Sequence, residues 1–259
     1  MAIEKYILET AQLAIGYATH KPVLKDITIH IPKGKLIGLV GINGSGKSTL
    51  LRTLSGLQPP LAGTIHIQDQ PITNFTAPAL AQQLSVVLTG QHISQQLTVA
   101  ELIALGRQPY TNWAGKLQDS DYDYITKAMQ ATSVTTLQDR KCGTLSDGQL
   151  QRVCIARALA QDTQLILLDE PLAHLDLHHE AALLKLLETI AHIHHKTIVF
   201  STHEISHALP LCDAFMVIKD NKLHFDHTEQ LIEKDVFDAM FPNTHVAFDK
   251  DSKRFFIRT

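Results

Sequence analysis

The amino-acid sequence predicts an α/β protein with a mixed sheet core, an N-terminal antiparallel β-subdomain and an inserted α-helical subdomain. Two stretches near the N-terminus alternate between apolar and polar residues, as half-exposed antiparallel strands do. Further along the chain, apolar runs without alternation indicate parallel strands that are buried on both faces. Helical periodicity dominates the middle, from about residue 78 to residue 160. The whole chain, 1–259, is predicted to be one domain.

The N-terminal part of the chain predicts the antiparallel β-subdomain. Residues 3–35 are predicted to form short strands, and the segment DITIHI (Asp26–Ile31) alternates clearly. A second segment, GTIHIQDQ (Gly63–Gln70), alternates in the same way. We therefore expect it to complete an antiparallel sheet with the first segment.

The remaining elements follow the order of parallel strands with crossover helices. In the helical part, Thr98–Arg107 begins with a threonine and has glutamate three residues later, which predicts a capping box. Further helices are predicted over Ser120–Val134 and His178–Ile193, and a closing hairpin over about 244–258. The four apolar runs cover residues 35–40, 164–170, 196–202 and 214–220.

Composition excludes several classes of protein. The net charge is -3, from 23 basic and 26 acidic residues, so non-specific nucleic-acid binding is not expected. The three cysteines share no C-x-x-C spacing, which predicts reduced thiols rather than disulfides or a zinc knuckle. Neither a signal peptide nor an apolar run of about 18 residues is visible, and the sequence predicts a soluble chain.

Fifteen histidines raise the question of a metal site. His192, His194 and His195 lie at the end of a predicted helix, in the stretch IAHIHHK. No carboxylate or cysteine with ligand spacing accompanies them in the sequence. We therefore interpret them as a polar helix end, where positive charge is favourable.

The stretch GINGSGKST (Gly41–Thr49) predicts a phosphate-binding loop. It follows an apolar run, precedes a helical run and fits the pattern G-x-x-x-x-G-K-[ST]. Glycines let backbone N–H groups point at phosphate oxygens, and the next helix adds its positive end. Lys47 is expected to reach the terminal phosphates and the Ser48 hydroxyl to ligate Mg²⁺. The residues assigned to the nucleotide are Gly41, Asn43, Gly44, Ser45, Gly46, Lys47, Ser48 and Thr49.

Two later strand ends carry candidates for acid–base chemistry. LILLDEP places Asp169 and Glu170 at the end of a buried strand. Asp169 is suited to hold Mg²⁺, and Glu170 to take a proton from an attacking water. FSTHE ends the next strand with His203, and neighbouring strand ends converge at a ligand crevice. We therefore assign catalytic roles to Glu170 and His203.

A second helix start also suits an anion. In TLSDGQLQRVCIARAL (Thr144–Leu159), Ser146 stands before a turn that contains Gly148, and an amphipathic run follows. The chain would then have two helix starts that bind phosphate, although a single nucleotide site needs only one.

Taken in order, these motifs resemble an ATP-binding-cassette (ABC) ATPase over essentially the whole chain. The signature at Leu145–Gln149 is the discriminating element, because other P-loop ATPases lack it. The resemblance implies the P-loop NTPase ABC ATPase fold, with ATP and Mg²⁺ bound. It also implies a head-to-tail dimer with a second copy of the chain. In that dimer, Ser146, Gly148 and Gln149 of one copy reach ATP held by the other.

The same resemblance assigns roles to three further residues. Tyr17 matches the aromatic residue that stacks on adenine, and Asp176 ends the D-loop stretch LAHLD. Gln91, in SVVLTGQHIS, is assigned to the Q-loop, with a catalytic role and a contact to Mg²⁺. Strict alignment with the family's pattern would place Gly90 at this position. Asp147 stands where the family usually has glycine, and its carboxylate is expected to point away from ATP.

The segment Thr98–Leu117 resembles importer ATPases that serve ferric siderophores, haem and cobalamin, in which GR-x-P-Y/H recurs. This implies a separate integral-membrane permease that holds the chain at the cytoplasmic face of the membrane, and indirectly a substrate-binding protein. The surface Gln91–Leu117 is expected to receive a short permease helix. Tyr110 and Trp113 are its candidate contact residues.

Two other functions remain open on the sequence. A soluble ABC ATPase of the iron–sulfur assembly or translation-factor type would share these motifs, although a translation factor normally carries two cassettes. A non-hydrolysing, nucleotide-dependent interaction module is the second alternative. The presence of both Glu170 and His203 argues against it.

Overall fold

The computed structural model describes residues 6–17, 21–90, 92–112, 115–241 and 245–258. These residues form a six-stranded main sheet, a four-stranded antiparallel sheet, a two-stranded hairpin and the helices that pack on them. The expected α/β architecture with an N-terminal antiparallel subdomain is confirmed. Within the described part of the chain, we find no helix with both the length and the apolar character that a membrane span requires.

The strands are β1 (Tyr6–Ile15), β2 (Leu24–Pro32), β3 (Leu36–Gly41), β4 (Ala62–Ile67), β5 (Gln70–Pro71), β6 (Leu84–Val87), β7 (Leu165–Leu168), β8 (Thr197–Ser201), β9 (Ala214–Lys219), β10 (Lys222–His227), β11 (Val246–Asp249) and β12 (Arg254–Ile257). The α-helices are α1 (Lys47–Leu54), α2 (Ala77–Ala81), α3 (Val99–Ala104), α4 (Asp119–Ala131), α5 (Asp147–Ala160), α6 (Leu177–His192), α7 (Ile205–Ala208) and α8 (Thr228–Glu233). Short 3₁₀ turns join several of them, and one of these, Leu105–Tyr110, directly continues α3.

The main sheet has the strand order β10-β9-β3-β8-β7-β6. Strands β9 to β6 run parallel, and β10 pairs antiparallel with β9 at one edge. The parallel arrangement expected for the four apolar runs is thus present. Because the strands are parallel, their carboxyl ends lie along one edge of the sheet, where the phosphate loop also begins.

The helical part differs from the sequence prediction at its start. The stretch from residue 78 was expected to be helical, but β6 lies inside it and pairs in parallel with β7 in the main sheet. Four residues are too few to show a period in the sequence, so this strand could not be separated from its helical surroundings. This part thus begins with the short helix α2 (Ala77–Ala81), is interrupted by β6, and becomes helical again from Val99. The capping box is present there, since Thr98 Oγ1 accepts from Glu101 N at 3.2 Å.

Both faces of the main sheet are buried. On β3, Leu36 and Val40 pack into a cluster with α5, α6 and α7, whereas Ile37 and Leu39 pack into one with α1, β1 and β2. A Cβ at Gly38 would lie 2.2 Å from the Phe215 ring, so this position on β3 has no room for a larger side chain. The packing fixes β3, and with it the loop at its carboxyl end.

Candidate functional site

The predicted phosphate loop connects the end of β3 at Gly41 to the start of α1 at Lys47. Gly44 and Gly46 have φ angles of 77° and 105°, in the left-handed region that favours glycine. A Cβ at Gly46 would also lie 2.6 Å from Val23 Cγ1. Glycine at these positions permits a tight loop whose N–H groups can face one anion. The remaining loop residues predicted to contact the nucleotide are exposed Asn43 and, in the first turn of α1, buried Thr49.

The charge and hydrogen-bonding state of this loop fit a phosphate ligand. The Lys47 side chain is almost buried, at 5% exposure, and its ammonium donates to Gly41 O at 3.0 Å. Burial lowers the pKa of Lys47, while the nearby carboxylates of Glu170 and Asp169 act to raise it. Among the described residues, the buried Ser45 hydroxyl has no hydrogen-bond partner. A buried cation and an unpaired hydroxyl in one loop are suited to phosphate oxygens.

Asp169 is buried and accepts hydrogen bonds from three hydroxyl groups. Its Oδ1 accepts hydrogen bonds from Ser48 Oγ at 3.0 Å and from Ser201 Oγ at 2.8 Å, and its Oδ2 accepts one from Thr89 Oγ1 at 3.1 Å. The donors come from α1, from β8 and from the loop after β6, so four chain segments meet here. Ser48 and Asp169, both predicted to hold Mg²⁺, are therefore in contact. Carboxylate and hydroxyl oxygens are ligands that Mg²⁺ accepts, and the donor set fits this ion.

Thr89 and Ser201 were not among the residues assigned from the sequence. Each is a hydroxyl residue at or just beyond the carboxyl end of a strand that pairs with β7, and their hydroxyls reach Asp169. Their position beside β7, the strand that leads to Asp169, was the available signal. Serine and threonine are too common at strand ends for that signal to stand out.

Glu170 and His203 are also brought together. His203 Nε2 lies 2.8 Å from Glu170 Oε1, and the two side chains are 42% and 31% exposed respectively. Glu170 has a φ angle of 49°, uncommon for a non-glycine residue, and its N–H donates to Ser201 Oγ at 2.8 Å. The left-handed turn leaves Asp169 buried and Glu170 partly exposed. An accessible carboxylate with an imidazole partner can accept a proton from water.

The second predicted anion site is the start of α5. Ser146 caps this helix through a capping box with Gln149, whose N–H donates to Ser146 Oγ at 3.3 Å. That bond uses the hydroxyl as an acceptor and leaves its proton for another group. A Cβ at Gly148 would lie 3.2 Å from His179 Cδ2, so the helix start packs closely on the beginning of α6. Exposed Asp147 lines a cavity of about 370 Å³ that also borders Asp169 and Glu170.

Asp176 has a structural partner that the sequence did not identify. It caps α6 by accepting a hydrogen bond from His179 N at 2.9 Å, and its carboxylate also lies 2.8 Å from His179 Nδ1. These contacts hold the pKa of Asp176 below its ordinary value, with the backbone N–H as the largest cause. The exposed carboxylate therefore stays ionised at the helix N-terminus.

Two residues predicted to contact the ligand lie at the limits of the described ranges: Tyr17 is the last residue before a gap, and Gln91 lies in another gap. Tyr17 is 52% exposed and follows Gly16, whose Cβ position would lie 3.1 Å from Val23 N. Val23 also lies beside Gly46 of the phosphate loop, and the assignment of Tyr17 to adenine stays a prediction. Gln91 lies outside the described residues, so its assignment stays a prediction.

The GR-x-P-Y stretch turns inward. Arg107 is 4% exposed, and its Nε donates to Asp121 Oδ1 at 2.9 Å. Its guanidinium carbon lies 4.0 Å and 4.2 Å from the ring centroids of Tyr110 and Tyr124. Tyr110 also donates through its hydroxyl to Gln161 O at 2.9 Å. Tyr110 is therefore held against the helical part, its predicted contact with the permease stays a prediction, and Trp113 lies outside the described residues.

The comparisons with known proteins agree with this geometry. A family model described as ABC transporter matches residues 24–173. The chain is 36% identical over 217 residues to the petrobactin import ATP-binding protein FpuD of Bacillus anthracis, covering 84% of this chain and 79% of that protein. It is 37% identical over 212 residues to the iron(3+)-hydroxamate import ATP-binding protein FhuC of Bacillus subtilis (strain 168), covering 82% and 78%.

A solved structure extends the comparison to the fold. A chain of a transporter described as a metal-chelate type ABC transporter, in an inward-facing conformation, superposes with a TM-score of 0.80. The two sequences are 27% identical, and the match covers 97% of this chain and 95% of the other. The similarity thus includes both the sheet edge and the helical part.

Proposed function

This chain belongs to the ABC transporter family, whose ATP-binding proteins are ATPases, and from that premise we propose that it is the ATP-hydrolysing subunit of an importer. It powers uptake of an iron chelate, haem or cobalamin through a separate membrane permease. The relatives named for import of petrobactin and ferric hydroxamate support this cargo class. A substrate-binding protein delivers the cargo, and the chain works at the cytoplasmic face of the membrane.

The contact between Glu170 and His203 carries the proposal of hydrolysis. The phosphate loop binds the nucleotide through its N–H groups and Lys47, which places the terminal phosphate near the end of β7. Glu170 then takes a proton from the attacking water, and His203, 2.8 Å away, orients that carboxylate. Removing an acid–base group of this kind typically costs ~10²–10⁴ in rate.

Ser48 and Asp169 would hold Mg²⁺, since their oxygen atoms lie 3.0 Å apart at the start of α1. When bound, the ion neutralises charge on the phosphate oxygens. Thr89 and Ser201 position the Asp169 carboxylate through their own hydrogen bonds.

Phosphate release separates this function from its alternatives. We expect the purified chain with ATP and Mg²⁺ to release phosphate, and uptake to require a separate membrane permease. A chain that binds ATP without releasing phosphate would be a nucleotide-dependent interaction module. Phosphate release that no permease stimulates would favour a soluble ATPase of the iron–sulfur assembly type.

We also propose that two copies of the chain form a head-to-tail dimer around two ATP molecules. The start of α5 supports this, because Ser146 is exposed, its hydroxyl proton is available and its capping partners lie in its own helix. In the dimer, Ser146, Gly148 and Gln149 of one copy contact ATP in the phosphate loop of the other. A twofold arrangement completes two such sites at once.

Mixed dimers test this arrangement. Ser146→Arg should abolish turnover while each monomer still binds ATP, whereas Lys47→Ala should lose ATP binding. When the two variants are mixed, one site combines an intact phosphate loop with an intact signature, and the other site is doubly damaged. Recovery of hydrolysis on mixing supports the dimer. If Ser146→Arg weakens ATP binding by the monomer as strongly as Lys47→Ala does, the assignment of Ser146 fails.

For the permease contact, we propose the groove beside the 3₁₀ turn that follows α3. This groove, of about 450 Å³, is lined by Leu105, Gln108, Pro109 and Ala81, and Leu105 is 45% exposed. One side of the groove, with Leu105, Gln108 and Pro109, belongs to the surface predicted to receive a permease helix. Another side includes Val86 of β6, the strand that leads to Thr89 beside Asp169. Cysteine crosslinks from Leu105→Cys to cytoplasmic loops of the permease would support this contact. Efficient crosslinks from the opposite edge at β10, with none from Leu105→Cys, would contradict it.

A further inference from the structure

A second cluster of ligand side chains lies beside the catalytic pair. Glu180 is in the first turn of α6, Glu204 is the N-cap residue of α7, and His207 lies one turn later on α7. His207 Nδ1 lies 3.1 Å from Glu180 Oε1 and 3.9 Å from Glu204 Oε2. One ligand atom from each residue lies within 4.8 Å of the others. The described mechanism uses none of these three side chains.

Burial distinguishes this cluster from an ordinary surface ion pair. Glu180 is 5% exposed, and it faces the imidazole of His207, which is charged only when protonated. A buried carboxylate is stable only when its charge is compensated. A divalent cation held by two carboxylates and one neutral imidazole makes an electrically neutral group.

The distances suit a small cation. Zn²⁺ binds imidazole nitrogen and carboxylate oxygen at about 2.0–2.2 Å, so two of its tetrahedral ligands lie about 3.3 Å apart. Glu180 and His207 already have nearly this separation, at 3.1 Å. Glu204 lies 3.9 Å from His207 Nδ1, and because its side chain is 58% exposed it is free to move closer to the other two ligands.

The cluster also has room for the rest of a coordination shell. A cavity of about 210 Å³ is lined by Glu180 and Glu204, together with Thr202 and His203. A water molecule in this cavity can serve as the fourth ligand that a three-residue site needs.

We propose that Glu180, Glu204 and His207 form a binding site for a divalent first-row transition-metal ion, with Zn²⁺ as the best match. The imidazole favours such an ion over Mg²⁺, which prefers an all-oxygen shell. The two carboxylates supply the matching negative charge. The site is separate from the Ser48–Asp169 pair assigned to Mg²⁺.

A bound ion would join two helices that carry residues of the nucleotide site. Asp176 caps α6, and Glu180 lies in the first turn of that helix. His203 directly precedes Glu204 at the start of α7. Fixing α6 to α7 would restrict the movement of His203 and of the D-loop. This consequence rests on the proposed ATPase function, and we expect bound Zn²⁺ to slow hydrolysis.

Zn²⁺ titration of the metal-free chain without nucleotide tests the site. The variants are His207→Gln and Glu204→Gln, and Glu204 is exposed, so its variant is expected to fold. The matched control is His192→Gln, since His192 Nε2 lies 2.9 Å from a carboxylate of Asp213 but does not belong to the three-ligand cluster. Wild type and control should bind Zn²⁺ equally well, and both variants at least ~tenfold more weakly. Unchanged affinity in folded His207→Gln and Glu204→Gln would overturn the proposal, as would absence of binding to wild type.

ATPase measurements with and without Zn²⁺ test the coupling. Zn²⁺ should slow phosphate release by wild type and by His192→Gln, and should have little effect on His207→Gln, whose metal-free rate should match wild type. Equal slowing of all three proteins would place the inhibitory ion elsewhere and contradict the coupling. Absence of any ATPase activity in wild type would count against the proposed function, while the titration would still decide whether the ion binds.

Discussion

Two of the buried charged side chains have opposite signs and different surroundings: Asp169 at the edge of the main sheet and Arg107 in the helical part. Asp169 is 3% exposed and is contacted by three neutral hydroxyls. Arg107 is 4% exposed and is contacted by the carboxylate of Asp121, by a backbone carbonyl and by two aromatic rings. The hydroxyls give Asp169 hydrogen bonds but no ion pair, although the Lys47 ammonium is near enough to interact with its charge, whereas Arg107 is paired directly with a carboxylate.

This difference separates a ligand site from a structural one. A buried carboxylate whose neighbours are hydroxyls leaves negative charge that a cation can neutralise. A buried guanidinium with a carboxylate, a carbonyl and two π faces has its charge and its donors largely satisfied. We therefore expect changes near Asp169 to alter catalysis with little effect on folding, and changes around Arg107 to do the reverse.

The largest expected effect is on catalysis, in Glu170→Gln. The amide keeps the shape of the side chain but cannot take a proton, so hydrolysis should fall by ~10²–10⁴. ATP binding should persist, and gel filtration with ATP should show a trapped dimer. The free energy of unfolding, from denaturant titration, should change by less than about 0.5 kcal/mol because the side chain is partly exposed. If Glu170→Gln hydrolyses ATP at the wild-type rate, Glu170 is not the base; if it stays monomeric with ATP, the dimer is in doubt.

The contrast also shows what the sequence could predict. Spacing predicted Lys47, Ser48, Asp169 and Glu170 as site residues, and the structure brings them together at one edge of the sheet. The parallel strands were also predictable, since burial on both faces makes an uninterrupted apolar run.

Other contacts join segments that are far apart in the chain, and no spacing pattern in the sequence predicts them. Thr89 reaches Asp169 across two paired strands, 80 positions away in the chain. Tyr110 was predicted to contact a permease because it is a large ring in a segment with proline and glycine. It is held inward by Arg107 and by the carbonyl of Gln161 just beyond α5, a partner that no local pattern specifies.

The second expected effect is on stability, in Arg107→Met. Methionine fills much of the space but leaves the Asp121 carboxylate buried without its cation. Breaking a buried pair from one side costs about 3–5 kcal/mol. Denaturant titration should show this loss, while the folded variant should retain ATPase activity close to wild type at low temperature. An unchanged stability would mean that the pair contributes no more than an apolar contact.

A smaller, pH-dependent effect is expected from Asp121→Asn. The N–H of Gln118 is the largest cause that holds the pKa of Asp121 below its ordinary value, with Arg107 adding to it and burial opposing both. A lowered pKa in the folded state stabilises the protein above the unfolded-state pKa of about 4, and this contribution is lost as pH falls through the folded value. The Tm of Asp121→Asn should therefore lie below that of wild type at pH 7, with the difference narrowing below about pH 4. A constant difference across this range would show that ionisation of Asp121 is not its source.

The smallest expected effect is that of Tyr110→Phe, and it separates the structural role of Tyr110 from a role in contacting the permease. The ring stays over Arg107, while the hydrogen bond from the Tyr110 hydroxyl to Gln161 O is lost. Loss of one such bond costs about 0.5–1.5 kcal/mol. The matched control is Tyr124→Phe, which keeps the second ring over Arg107 in a side chain that is 37% exposed, and we expect it to cost less. Transport by the assembled complex should be unaffected in both variants once the protein is folded. If Tyr110→Phe instead leaves stability unchanged and uncouples transport from ATP hydrolysis, the Tyr110 hydroxyl acts on the permease. Tyr110 would then have a functional role, although it belongs to the structural group around Arg107.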